Sequence, residues 1–184
     1  MNDAFRGDPS VAVVPVDGFV TMVRFDGQSP VVWWGAGPND TERLAIEGRR
    51  IAVWSSPEEC LRTVLDRGWS LAADDDGVDS TEVTELDFEP AQAWLRGSSS
   101  FLDPDAGLNM WNFAIDVSAS LRMLFRQRGQ VANRCHDKLT AANIPWAWGL
   151  ESYVPRWTPA ELRVLRRVLG EAVHVIRSGL SKPH

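Results

Sequence analysis

The sequence predicts an α+β fold, a single domain in which an N-terminal antiparallel meander of four to five strands is packed by about four helices. Three observations carry that expectation. Between positions 11 and 54, short runs rich in β-branched and aromatic residues are separated by Asp17-Gly18, Asp26-Gly27 and Glu47-Gly48, dipeptides that suit tight hairpin turns. Ser56-Pro57-Glu58-Glu59 and Thr158-Pro159-Ala160-Glu161 each combine a capping hydroxyl, a proline at the first helical position and a glutamate three residues on. In the C-terminal half, apolar residues recur every three and four positions, the helical period.

The elements follow in order. Residues 1–10 are polar and read as a flexible arm. VAVVPV, Asp17-Gly18 and FVTMVRF read as a hairpin whose first strand is an edge, because Pro15 donates no ladder hydrogen bond. PVVWWG and the runs RLAI and RRIAVW complete the meander, with both of its faces open to being covered. A helix from Ser56 presents Leu61, Val64 and Leu65 and closes at Gly68. Trp69-Ser70-Leu71 adds a short strand, so that 11–72 forms the sheet plus first helix. Residues 72–82 form an acidic connection. Its Asp74-Asp75-Asp76 run meets only half of the calcium-loop pattern and reads as a solvated loop. The helical half spans 86–180: a helix from Leu86 to Arg96, a central helix from Leu108 to about Arg128, a long connection over 131–157, and a helix from Pro159 to about Ser178.

Composition narrows the function classes. A formal net charge of −6 argues against a nucleic-acid backbone as partner and suits a cationic one. Nine tryptophans stand against one tyrosine; tryptophan serves both cores and binding surfaces. No apolar run approaches the roughly 20 residues of a membrane helix, and the polar start MNDAFRGDPS lacks a secretory pattern. Cys60 and Cys135 are too far apart in sequence context to form a zinc or redox motif and read as reduced thiols. The expected location is cytoplasmic. Neither GxGxxG nor GxxxxGK occurs, so no cofactor is expected, and no metal.

The candidate site lies on the central helix and the connection after it. Met110, Ala114, Val117, Leu121 and Leu124 form an apolar line widened by Trp111, Ile115 and Phe125. Asn109, Asn112, Asp116 and Ser120 recur at spacings of three, four and four, one polar face on a mostly buried cylinder. Polar groups in such a place need hydrogen bonds, at a cost of roughly 1–3 kcal/mol each where they go unmet. Two readings follow: these groups tie down the long connection, or they line a pocket with His136, Asp137 and Lys138. Pairing of Lys138 with Asp116 or Asp137 accounts for the cation. Asn143-Ile144-Pro145 marks a turn, after which Trp146 and Trp148 alternate, one expected inward and one nearer the surface.

WNFAIDVSASL, HDKLTAANIPW and VPRWTPAEL together resemble a family of uncharacterised bacterial proteins. Its members carry a Trp-Asn…Asp…Ser helix, a Tyr-Asp-Lys-Leu…Asn-hydrophobic-Pro element and a Pro-x-Trp-[Ser/Thr] helix start. His136 stands where that pattern has tyrosine, and the resemblance covers the C-terminal half. Some proteins of this kind resemble immunity proteins that neutralise toxins. The resemblance therefore implies a non-enzymatic protein-binding module facing a cationic toxin domain, with Asn112, Asp116, His136, Asp137, Lys138, Trp146 and Trp148 as its binding residues. The alternatives are a small enzyme or ligand-binding domain with a pocket around Asn112, Asp116, Asp137 and Lys138, and a structural homodimer joined through the tryptophan-bearing connection.

Overall fold

Side-chain alternation along strand β2 (Val31–Ala36) explains how one sheet comes to be covered on both faces. Val31 and Trp33 enter a buried cluster with Val20, Ala45, Ala52, Cys60 and Val64. Val32 enters a second, larger cluster, and Trp34 packs against it. Neighbouring strand residues point to opposite faces, so two clusters mean two covering layers. Helix α1 (Pro57–Asp66) lies on the first face. Helices α2 (Glu89–Leu95), α3 (Pro104–Leu121), α4 (Gln130–Asn143) and α5 (Pro159–Leu180) gather on the second. The computed structural model describes residue 15 and residues 17–37, 41–72 and 82–180. The expectations for the 1–10 arm, most of the first hairpin strand and the Asp74-Asp75-Asp76 run lie outside the described residues.

The α+β class holds, but the sheet is mixed. Strand β1 (Asp17–Arg24) pairs antiparallel with β2, and β3 (Glu42–Leu44) extends that side. The other edge of β1 is shared in tandem by β6 (Ser70–Leu71) and β7 (Thr84–Asp87), both parallel to it. Strands β4 (Ile46–Glu47) and β5 (Arg50–Ile51) form a small ladder of their own. The expected antiparallel meander holds for every pairing among β1 to β5, and the parallel pairings come from β6 and β7, which lie beyond it. Turn dipeptides report only on strands adjacent in sequence, whereas a parallel return follows a crossover, here the stretch carrying α1.

Asp17-Gly18 is not a turn: it opens β1, and Gly18 lies in the ladder opposite Gly35. A Cβ on Gly18 would strike the carbonyl of Trp34, and one on Gly35 the carbonyl of Asp17. These glycines serve close approach of two strands. The hairpin turn is Asp26-Gly27, with φ of 52° and 69°, the two positive angles of a type I′ turn. It is held by side chains of α2 and α5. Arg177 of α5 donates from Nε and Nη2 to the Asp26 carboxylate at 2.7 and 2.9 Å. Gln92 of α2 adds a bond from Nε2 at 2.8 Å.

Helix boundaries differ from expectation in ways the caps explain. In α1 Ser56 accepts from the Glu59 amide at 3.2 Å as expected, but the Glu59 carboxylate takes the Ser55 amide. Leu65 is exposed, and Cys60 and Val64 form the buried side. Leu86 belongs to β7, and α2 starts later, at Glu89. Helix α3 starts early because Asp103 accepts from the Ala106 amide at 2.9 Å and Pro104 takes the first position. It stops early at Arg122, which adopts a left-handed φ of 54°, leaving Leu124 exposed. The 131–157 connection is mostly not a connection: α4 occupies half of it, followed by a 3-10 turn over Pro145–Trp148.

Gly35→Ala is expected to cost about 2 kcal/mol, because the clash is with backbone that cannot move aside. Urea unfolding checks this, and an unchanged midpoint would show that the strands part freely.

Candidate functional site

The polar face of α3 divides among three neighbours. Asn112 Oδ1 meets His136 Nε2 of α4 at 2.9 Å. Ser120 donates to the Asp116 carbonyl at 2.7 Å and accepts from the Leu44 amide at 2.9 Å, which fixes edge strand β3 to the helix. Asn109 only caps its own helix turn, donating to Asp105 at 3.0 Å. The expectation that Asn112 and Asp116 secure the following segment by its backbone amides is met only in part: Asn112 reaches that segment, through the His136 side chain. At Ser120 the partner is the sheet, which spacing along one helix does not reveal.

Asp116 is buried, 9% exposed. Burial first, then the Glu42 carboxylate beside it, push its pKa up to about 7. A nearby negative charge penalises the ionised form, and a hydrogen bond to the protonated form adds to that. Arg43 and the Trp34 indole pull the other way, though Trp34 Nε1 reaches no well-formed hydrogen bond. At neutral pH Asp116 is thus a half-protonated acid between α3 and β3.

Lys138 pairs with neither Asp116 nor Asp137. Its Nζ meets the Glu161 carboxylate at 2.9 Å and the Arg156 carbonyl at 2.8 Å, 5.5 Å from the Trp157 ring centre. Glu161 is 2% exposed. Burial alone would raise its pKa, but the Thr158 amide and hydroxyl and the Lys138 ammonium hold it below the usual value. The same carboxylate accepts from the Thr158 amide at 2.8 Å while the Glu161 amide donates to Thr158 Oγ1 at 3.3 Å, so the expected capping box is formed. One buried anion thereby starts α5, receives α4 and fixes the chain between them.

His136 and Asp137 line a cleft of about 440 Å³ with Trp111, Ile115, Gln127 and Arg128. The Trp111 ring meets His136 edge-on at 5.4 Å, and its Nε1 is buried without a partner. Burial lowers the His136 pKa against a smaller opposing effect of Asp137, so the ring is neutral at pH 7. Its neighbours are an amide oxygen and the Thr140 hydroxyl at 3.5 Å, and that hydroxyl already donates to a backbone carbonyl. This is not a nucleophile–base–acid relay. Asn112, Asp116, Asp137 and Lys138 do not share one pocket.

The 3-10 turn and the chain after it present a different surface. Trp146 is 75% exposed and Trp148 52%, with Ile144, Leu150 and Val154 exposed around them. The expectation that one tryptophan packs inward is corrected: inward–outward alternation belongs to extended chain, and these residues are in a 3-10 turn. Leu150 closes the turn through its amide to Pro145 at 3.0 Å. Asn143 donates to the Pro104 carbonyl at 3.2 Å, which brings the first turn of α3, with Asp103 and Asp105, alongside. Sequence reasoning missed Glu161 as the partner of Lys138 and Glu42 as the neighbour of Asp116; for Glu161 the signal was its place in the capping box.

No family model, no curated protein and no solved structure matches this chain. Among the described residues no helix is long and apolar enough to cross a membrane, and no three His, Cys, Asp or Glu side chains gather as metal ligands. Cys60 and Cys135 are both free and buried, and burial pushes their pKa values to about 12 and about 11.

Two outcomes are expected. Lys138→Met strands a buried carboxylate and is expected to cost about 2 kcal/mol in urea unfolding, below the full cost for a sealed pair because Lys138 is partly exposed. Asp116 binds a proton in the folded chain that it has lost in the unfolded chain between pH 4 and 7, so it makes stability fall as pH rises through that window. His136, with its pKa lowered, tilts the slope the other way near pH 6. Asp116→Asn, which keeps the neutral form, is expected to flatten the Asp116 contribution and to gain on the order of 2 kcal/mol at pH 8. Melting curves of the two proteins from pH 4 to 8 check this, and parallel curves would exclude a raised Asp116 pKa.

Proposed function

We propose that this chain is a non-enzymatic protein-binding module that recognises a cationic partner through the segment 144–154, an immunity-like protein of bacterial origin acting in the cytoplasm against a toxin. One observation carries the reading: five large apolar side chains, two of them tryptophan, stand exposed within this short segment. Contiguous exposed apolar surface on a soluble fold marks an interaction site, and tryptophan is the residue type most enriched at interface hot spots. The segment is rigidly mounted, through Lys138 to Arg156 and through Asn143 to Pro104, so little order has to be gained on binding. Glu151, Asp103 and Asp105 beside it, and the net charge of −6, suit a basic partner, whose lysine or arginine side chains stack on indole faces.

Binding of the toxin encoded by a neighbouring gene tests the proposal. The pair Trp146→Ala and Trp148→Ala is expected to leave the unfolding midpoint nearly unchanged, since both rings are solvent-exposed, while weakening the complex by roughly 2–4 kcal/mol. Calorimetric titration of the two purified proteins measures it. A complex of undiminished affinity in the double variant would place the interface elsewhere, and loss of a dimer on light scattering would make this face a contact between two copies of the chain.

A further inference from the structure

One face of α5 carries Arg166, Gly170, Val173 and Arg177, spaced four, three and four apart, and faces Leu95 and Arg96 of α2 across a groove of about 380 Å³. The groove shares no residue with the segment 144–154. Gln92, which also lines it, bonds Asp26 through both its amide oxygen and its amide nitrogen. The floor is apolar, formed by Leu95, Val173 and the bare backbone at Gly170, and no carboxylate lines it.

Gly170 is the first unexplained feature. A glycine inside a helix costs about 1 kcal/mol against alanine, and a close neighbour usually accounts for it. Here a Cβ would have nothing within 4 Å. The folded chain has no packing reason for glycine at this position, and the space a side chain would fill belongs to the groove.

The charges supply the second. Arg96 lies 3.6 Å from Glu89, and Arg177 is clamped on Asp26. Arg166 has no carboxylate partner among the described residues. Its guanidinium instead lies over the Trp94 ring at 4.4 Å and donates weakly to the Trp94 carbonyl at 3.4 Å. Stacking of this kind fixes the plane of the fork and leaves the remaining N–H groups for a planar, bidentate anion.

We propose that the groove between α2 and α5 binds a small amphiphilic monocarboxylate, its head paired with Arg166 and its apolar body laid over Gly170, Val173 and Leu95. A single uncompensated guanidinium matches a single negative charge, which disfavours phosphate dianions. The volume, about 380 Å³, suits a ligand at the small end of the usual range for small-molecule sites.

Octanoate titrated into the full chain by calorimetry tests this, with 1-octanol as the uncharged counterpart. One site per chain is expected, with a dissociation constant on the order of 0.1 mM. Arg166→Gln is expected to weaken it about tenfold, as loss of one charge-assisted pair does. Gly170→Leu is expected to abolish binding while holding or raising the melting temperature, because leucine is a far better helix former and its Cβ meets nothing within 4 Å. Absence of saturable heat, equal affinity for octanol, unchanged binding in both variants, or capture of an acidic peptide without octanoate would each overturn the assignment.

Discussion

The buried carboxylate of Glu161 is the constraint on which the exposed 144–154 segment depends. Ionised and almost sealed from water, it is tolerable only because every direction around it is answered: the Thr158 amide from its own helix start and the Lys138 ammonium from α4. Lys138 then spends a further N–H on the Arg156 carbonyl. The chain from Pro145 to Thr158 is therefore closed at its far end by an ion pair and at its near end by the Asn143 bond to Pro104. Exposed tryptophans on an untethered loop would collapse onto the nearest apolar surface; on this mounting they stay presented. Replacing a buried pair by apolar residues is often neutral for stability, so the pair is better understood as fixing geometry than as strengthening the fold.

A second constraint is the tryptophan distribution. Trp33 and Trp69 stack at 6.1 Å in the cluster under α1, while Trp34 meets Phe113 edge-on at 5.6 Å on the other face. Adjacent residues Trp33 and Trp34 thus fill opposite layers, and one dipeptide contributes to both. The excess of tryptophan seen in the composition resolves into two jobs, filling a core divided by a thin sheet and forming an exposed patch.

How much of this was legible from residues alone follows from the range of the interactions. Local chemistry was readable: the cap at Ser56, the capping box at Thr158, the Asp26-Gly27 turn, the short strand at Ser70, and the covered sheet faces. What failed depended on distant partners. Asp17-Gly18 has the residues of a turn, and only the proximity of Gly35 shows why glycine is needed there. Helix α4 was missed because its buried stripe, Ala132, Cys135 and Leu139, is built of small side chains, and its start at Gly129 has no side-chain cap; the spacing of three and four was nonetheless present. In the candidate site, His136 and Asn112 were named together and do meet, 24 residues apart, whereas Glu161 and Glu42, the neighbours of Lys138 and Asp116, were not named for them.

The clamp between Asp26 and Arg177 has a temporal consequence. It joins positions 151 apart in sequence, and the α5 residues around it complete the layer over the sheet. Closing so long a loop is entropically costly and slow. On the ribosome the first hairpin is made early, yet the clamp on its turn stays open until α5 has been synthesised. The turn is thus obliged to wait for its anchor, and the order of synthesis makes this clamp one of the late contacts of folding.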